Sequence, residues 1–152
     1  MTGFASKVVI NNRRVKPLER LSKTNILKDL YWCHLSRLVS HSIRREVLTG
    51  KAKFGIGSGG KELLQVAMAR AFQQGDFFSG YYRDQTFMLA KKLATPEQLF
   101  AMLYADAKND PFSGGRQMNN HFSTPLVDEK GDWTTHKNQY NVASALSPLA
   151  GQ

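Results

Sequence analysis

Five consecutive residues, Gly80-Tyr81-Tyr82-Arg83-Asp84, hold the densest chemistry in the chain. A guanidinium presents a planar fork of N–H donors matched to the oxygens of a phosphate, and a neighbouring phenol adds a neutral donor. The plainer alternative is an aromatic strand end in the core with Arg83 and Asp84 as a surface ion pair. A second group is Gly114-Gly115-Arg116-Gln117-Met118-Asn119-Asn120-His121-Phe122. Its glycines offer mobility, its Arg and Asn side chains are donors, and His121 titrates near neutral pH, the ingredients of a loop closing over an anionic substrate. The alternative there is a solvent-exposed histidine. A third group, Gly55, Gly57, Gly60 and Lys61, satisfies G-x-G-x-x-G and most of a Walker phosphate loop. Such loops follow a buried strand, however, whereas Ser40 to Lys53 is polar, basic and helical in pattern, and Glu62 replaces the magnesium-binding hydroxyl. The glycines are read instead as letting the backbone turn sharply into the next helix.

The elements that carry these groups follow from periodicity. Leu27, Leu30, Tyr31, Leu35, Leu38, Val39, Ile43 and Val47 recur at three- and four-residue steps, which predicts a helix with this stripe buried. Ser22 or Thr24 caps its start, and Thr49-Gly50 ends it. A second helix opens at the glycine loop and should bury Leu63, Leu64, Ala67, Met68, Ala71 and Phe72. Phe77 to Tyr82 has the aromatic content of a short buried strand. Thr95-Pro96-Glu97-Gln98 combines a cap, a proline where its missing N–H is harmless and a glutamine that closes a capping box. That helix carries Leu99, Phe100, Met102, Leu103 and Ala107 to about Lys108. Residues 109 to 141 form a long loop of the functional or mobile kind, and residues 1 to 21 form an extended basic arm before a single domain over 22 to 152.

Composition bounds the function classes. The 152 residues are 41% hydrophobic and 22% charged, ordinary for a globular domain with a core. The net charge of +9 is unevenly spread, since residues 1 to 53 carry 12 Lys/Arg against 3 acids and the remainder 9 against 9. Clustered cations attract polyanions, so a binding module for nucleic acid or an acidic partner protein is the alternative function; a solvated helix face is the plainer one. No stretch has the roughly 18 apolar residues of a membrane span, and Met1 to Asn12 lacks a secretory pattern. Cys33, the single cysteine, excludes an internal disulfide and a cysteine-based zinc site. These features predict no membrane partner and a cytoplasmic, bacterial setting.

Taken together, Gly80-Tyr81-Tyr82-Arg83-Asp84-Gln85, the helix from Pro96, Gly115-Arg116-Gln117-Met118 with His121, and Ala145-Leu146-Ser147-Pro148-Leu149-Ala150 resemble one family. It is the α chain of the thiamin-diphosphate-dependent decarboxylating component of 2-oxo acid dehydrogenase complexes. The wording at Tyr82-Arg83 and Arg116 to Met118 is most similar to the branched-chain, 2-oxoisovalerate type. The resemblance implies an α/β fold, here its mainly helical N-terminal portion with two or three short strands. It implies that a branched-chain 2-oxo acid or pyruvate is decarboxylated and its acyl group passed to a lipoyl-bearing acyltransferase. Tyr82 and Arg83 then match the pair that reaches the cofactor's diphosphate, and Ser147 and Leu149 lie against the aminopyrimidine. Phe54 matches an aromatic wall of the substrate pocket, and His121 belongs to an active-site loop that orders with cofactor. Leu146, Pro148 and Gln152 align with a turn that holds a potassium ion in relatives, although Gly151 stands where some have a hydroxyl. The resemblance also implies a β unit, separate or fused, that completes the site. The Gly-Asp-Gly motif that holds magnesium does not occur in the sequence. The expectation is a truncated chain, inactive and without cofactor by itself, and prone to self-association through apolar surface near residues 77 to 82 and 142 to 150.

Overall fold

The computed structural model describes residues 22–117, 120–133 and 138–143. The expected arm over 1–21 and the residues from 144 onward lie outside them. The first helix, α1, spans Lys23–Leu48, and the Ser22 side chain accepts the Asn25 amide at its start. Thr49 closes it and Gly50 follows at φ +74°, a left-handed conformation that costs glycine nothing. Both ends therefore lie where local chemistry predicts them.

Which face is buried differs from the expected stripe. Leu35, Val39 and Ile43 do pack toward the core, but Leu27, Leu30, Tyr31 and Leu38 are exposed, while Ser36 and Ser40 are buried. The reason is a polar seam to α3, the helix Gln85–Ala90. Ser36 Oγ bonds Thr86 Oγ1 at 2.7 Å, and Gln85 Nε2 donates to the Ser36 carbonyl at 2.9 Å. Small hydroxyls let the helices approach closely, and their mutual bonds remove the penalty of burial.

The same exchange governs α2, Glu62–Ala71. It buries Glu62, Gln65, Val66 and Ala69 and turns Leu63, Leu64 and Met68 outward, the reverse of the expected face. Glu62 is anchored by Arg37 (Nε to Oε1, 2.6 Å) and by the Gly60 amide at 2.9 Å. Burial raises the Glu62 pKa, but the Arg37 bond and the amides outweigh it and hold the carboxyl below its usual range. Of the glycines before α2, Gly60 (φ +92°) makes the sharp turn. Gly55 and Gly57 serve another purpose: a Cβ on Gly55 would sit 2.8 Å from Ile43 and Leu103, and one on Gly57 2.9 Å from Ser40. They let the loop lie flat on α1.

Strand β1 is Phe77–Ser79, shorter than the expected run to Tyr82, because Gly80 is followed by a turn that leads directly into α3. It pairs in parallel with β2, Asn141–Ala143, in the register Phe77↔Asn141, Phe78↔Val142, Ser79↔Ala143. The helix α3 was not foreseen, yet its apolar residues Phe87, Met88 and Leu89 are fully buried and belong to the core cluster. A six-residue helix is too short to show a readable periodicity, and its polar residues Gln85 and Thr86 are buried together with its apolar ones. The last helix, α4, is Pro96–Leu103, and Thr95 and Gln98 form the expected reciprocal capping box. It ends before Lys108, since Tyr104 caps it and Ala105 turns left-handed at φ +54°. The described residues are thus mainly helical around a two-stranded parallel sheet, an α/β arrangement. None of their helices is long and apolar enough to cross a membrane.

Candidate functional site

Ligands of parallel sheets bind beyond the carboxyl ends of the strands, and Tyr81, Tyr82 and Arg83 occupy that place after β1. Gly80 makes the exit possible. Its amide donates to the Ala143 carbonyl at 2.7 Å, and a Cβ would lie 3.2 Å from the same oxygen. The turn that follows is closed by Asp84, whose own amide donates to the Tyr81 carbonyl at 3.0 Å while its carboxylate accepts the Tyr81 amide. Asp84 is buried and makes no ion pair with Arg83, so the surface-pair alternative does not hold. Burial is the largest influence on its carboxyl and raises the pKa, with the Tyr81 amide and Lys61 pulling the other way.

A residue absent from the sequence-level candidates fixes this turn in space. Gln65 of α2 donates to the Arg83 carbonyl at 2.8 Å, and its Oε1 accepts the amides of Thr86 and Phe87 at 3.0 and 3.2 Å. One buried side chain therefore caps the start of α3 and pins the peptide of Arg83. Flanked by Leu64 and Val66, it carries no local sign of that role.

The donors gather on one side of the turn. The Tyr81 and Tyr82 rings lie 4.1 Å apart, and the Arg83 Cζ sits 5.5 Å from the Tyr82 ring centre. The side-chain interaction with Tyr81 is the first cause that holds the Tyr82 phenol below its usual range, with Arg83 and Lys61 adding to it. The same interaction is the first cause that raises the Tyr81 pKa. Arg83 Nε is buried and has no hydrogen-bond partner among the described residues. An orphaned guanidinium N–H costs desolvation free energy without return, so its setting is suited to an incoming anion with oxygen acceptors.

The second group reaches this turn through a hydrogen bond from Asn120 Nδ2 to the Tyr82 carbonyl at 3.3 Å. His121 follows, half-buried. Arg116 is exposed, and Met118 and Asn119 lie outside the described residues. The glycines at the head of this loop differ from their expected mobile role. Asp110 accepts the amides of Phe112, Ser113 and Gly115 and the Ser113 hydroxyl. Gly115, at φ +75°, lies against the Ala105 carbonyl, where a Cβ would come within 2.5 Å of the oxygen. Phe54 stands apart at the head of the glycine loop, 41% exposed, with no ring contact or hydrogen bond to Tyr82 or Arg83. Ser147, Leu149, Leu146, Pro148 and Gln152 lie outside the described residues. Among the described residues, no three or more His, Cys, Asp or Glu side chains are grouped to hold a metal.

No curated protein and no solved structure matches the chain. A family model described as dehydrogenase E1 component matches residues 34–145, a span that contains the glycine loop, the Tyr82-Arg83 turn, Asn120 and both strands. Since this match covers most of the sequence, the chain belongs to the dehydrogenase E1 component family, the thiamin-diphosphate-dependent component of 2-oxo acid dehydrogenases.

Proposed function

We propose that the chain belongs to an α unit that decarboxylates a branched-chain 2-oxo acid, or pyruvate, and passes the acyl group to a lipoyl-bearing acyltransferase. Thiamin diphosphate, when bound, supplies the carbanion chemistry that releases carbon dioxide. This chain's own part is to bind and orient. Arg83 and Tyr82 hold the diphosphate, with Lys61 adding positive charge beside them, and Gln65 and Asp84 keep that turn in position. Ser147 and Leu149 complete the cofactor wall, Phe54 borders the substrate pocket, and His121 belongs to the loop over the site.

The observation that carries the reading is the buried, unpartnered Nε of Arg83 at the carboxyl end of a parallel strand, beside two tyrosines and a lysine. The outward apolar face of α2, with Leu63 75% and Leu64 66% exposed, supports a partner surface such as the β unit. The expected patch at residues 77 to 82 is smaller, with Phe77 its exposed ring, and Val142 is buried. In the complete α/β enzyme, Arg83→Ala should raise the thiamin diphosphate concentration for half-maximal decarboxylation at least about tenfold, the worth of a charge-assisted hydrogen bond. An unchanged cofactor requirement in Arg83→Ala and in the double variant with Tyr82→Phe would overturn the assignment.

A further inference from the structure

A second cationic feature lies away from the Tyr82-Arg83 turn, in a slot of about 420 Å³ between α1 and the glycine loop. Arg37, His41 and Arg44 line it from α1 at i, i+4 and i+7, the spacing that puts side chains on one helix face. Facing them are Gly55, Gly57 and Gly59, which contribute only peptide groups, so this wall of the slot is bare backbone. The amides of Gly57 and Gly59 donate to no group among the described residues. No Asp or Glu lines the slot.

The three basic side chains are not equivalent. Arg37 is held in place through its Nε by Glu62, which leaves the rest of its guanidinium edge available. His41 and Arg44 are exposed and make no hydrogen bond or ion pair among the described residues. One turn further along, Val47 and Leu48 continue the lining, so the slot passes from a cationic end to an apolar one. Leu48 is 72% exposed, which leaves that end open to a ligand's tail.

We propose that this slot binds a small phosphomonoester. The phosphate sits among Arg37, His41, Arg44 and the glycine peptides, and an apolar substituent lies along Val47 and Leu48. Three basic side chains on one wall and the undonated amides of Gly57 and Gly59 on the other suit a dianion with several oxygens, and the change of polarity along the helix selects an organic phosphate over the free ion. None of these residues belongs to the Tyr82-Arg83 turn, so the site is independent of the proposed cofactor grip.

The test is an amide NMR titration of the full chain with phenyl phosphate and, separately, with inorganic phosphate at constant ionic strength. Saturable shifts are expected at Gly55, Gly57, Gly59 and His41, at lower concentration for phenyl phosphate. Arg44→Ala and His41→Ala, both on an exposed helix face, should each weaken phenyl phosphate binding about tenfold, and Arg83→Ala should leave it unchanged. Equal affinity for the two probes, undiminished binding by Arg44→Ala, absent shifts, or shifts centred on Lys61 and Tyr82 that vanish in Arg83→Ala would each overturn the proposal.

Discussion

Two turns in this molecule are built with the same device, an aspartate that accepts neighbouring backbone amides, and they end in opposite electrostatic states. At Phe112 to Gly115, Asp110 receives four hydrogen bonds, among them the Ser113 hydroxyl at 2.6 Å and the Gly115 amide at 2.9 Å. Burial raises its pKa, but these bonds outweigh burial and hold the carboxyl below its usual range. At Tyr81 to Asp84, the carboxylate receives the Tyr81 amide and a long 3.4 Å bond from Gln65, burial dominates, and the pKa rises. The first turn satisfies itself. The second leaves a buried Arg83 N–H without a partner among the described residues and a carboxylate whose pKa burial raises, and it depends on Gln65 from another helix to stay in place. A turn that is complete positions a loop; one left incomplete is a place where a ligand can complete it.

The strongest way to break the comparison is to open the self-satisfied turn. Gly115→Ala forces a side chain into left-handed space and against the Ala105 carbonyl and the Ala107 amide, a backbone clash that cannot be relieved by a rotamer. It should cost about 4 kcal/mol in urea unfolding, as strain and overpacking together do. A loss below about 1 kcal/mol would mean that this turn is not closed in solution.

Next is Gln65→Ala, which leaves the amides of Thr86 and Phe87 and the Arg83 carbonyl without their partner. A loss of about 2 kcal/mol is expected from the unpaired buried groups. In the complete enzyme the same change should also raise the cofactor requirement, because the peptide of Arg83 is then unpinned. Loss of stability with an unaltered cofactor requirement would show that Gln65 supports the fold and not the site.

The smallest effects sharpen the contrast by their sign. Asp110 has a depressed pKa, so its contribution to stability is fully present above the ordinary carboxylate value of about 3.9 and is lost as pH falls through the lower folded value. Asp84 has a raised pKa, so its contribution is present below about 3.9 and is lost as pH rises through the higher folded value. Asp110→Asn should therefore destabilise most at neutral pH and least in acid. Asp84→Asn should do little harm at neutral pH, within about 1 kcal/mol, since the amide oxygen still accepts from Tyr81 and no charge is buried. Parallel pH profiles for the two variants would remove the distinction.

Much of the local structure was legible. The capping box of Thr95 and Gln98, the Ser22 cap and the Gly50 stop all close within four residues, and each lies where the spacing predicts. The failure of the glycine loop as a nucleotide fingerprint was also readable, because the helix before it rules out the strand such a loop needs. The buried faces of α1 and α2 were not. Counting apolar residues favours Leu63 and Leu64, but the inward positions belong to Glu62 and Gln65, whose partners lie on α1 and at the start of α3. Gly115 reads as flexible from its type and proves to be a close-packed turn residue.

The sequence by itself determined where α1 begins and stops and where α4 begins, and that an arginine beside a tyrosine could grip a phosphate, because caps and donor chemistry depend on residues adjacent in the chain. Only the tertiary structure decided which polar groups are satisfied and which are left over. Ser36 finds Thr86 fifty residues away, Gln65 finds Arg83 eighteen residues away, and the Arg83 Nε finds no partner among the described residues. Burial turns those distant pairings into free energy, and no local pattern records them.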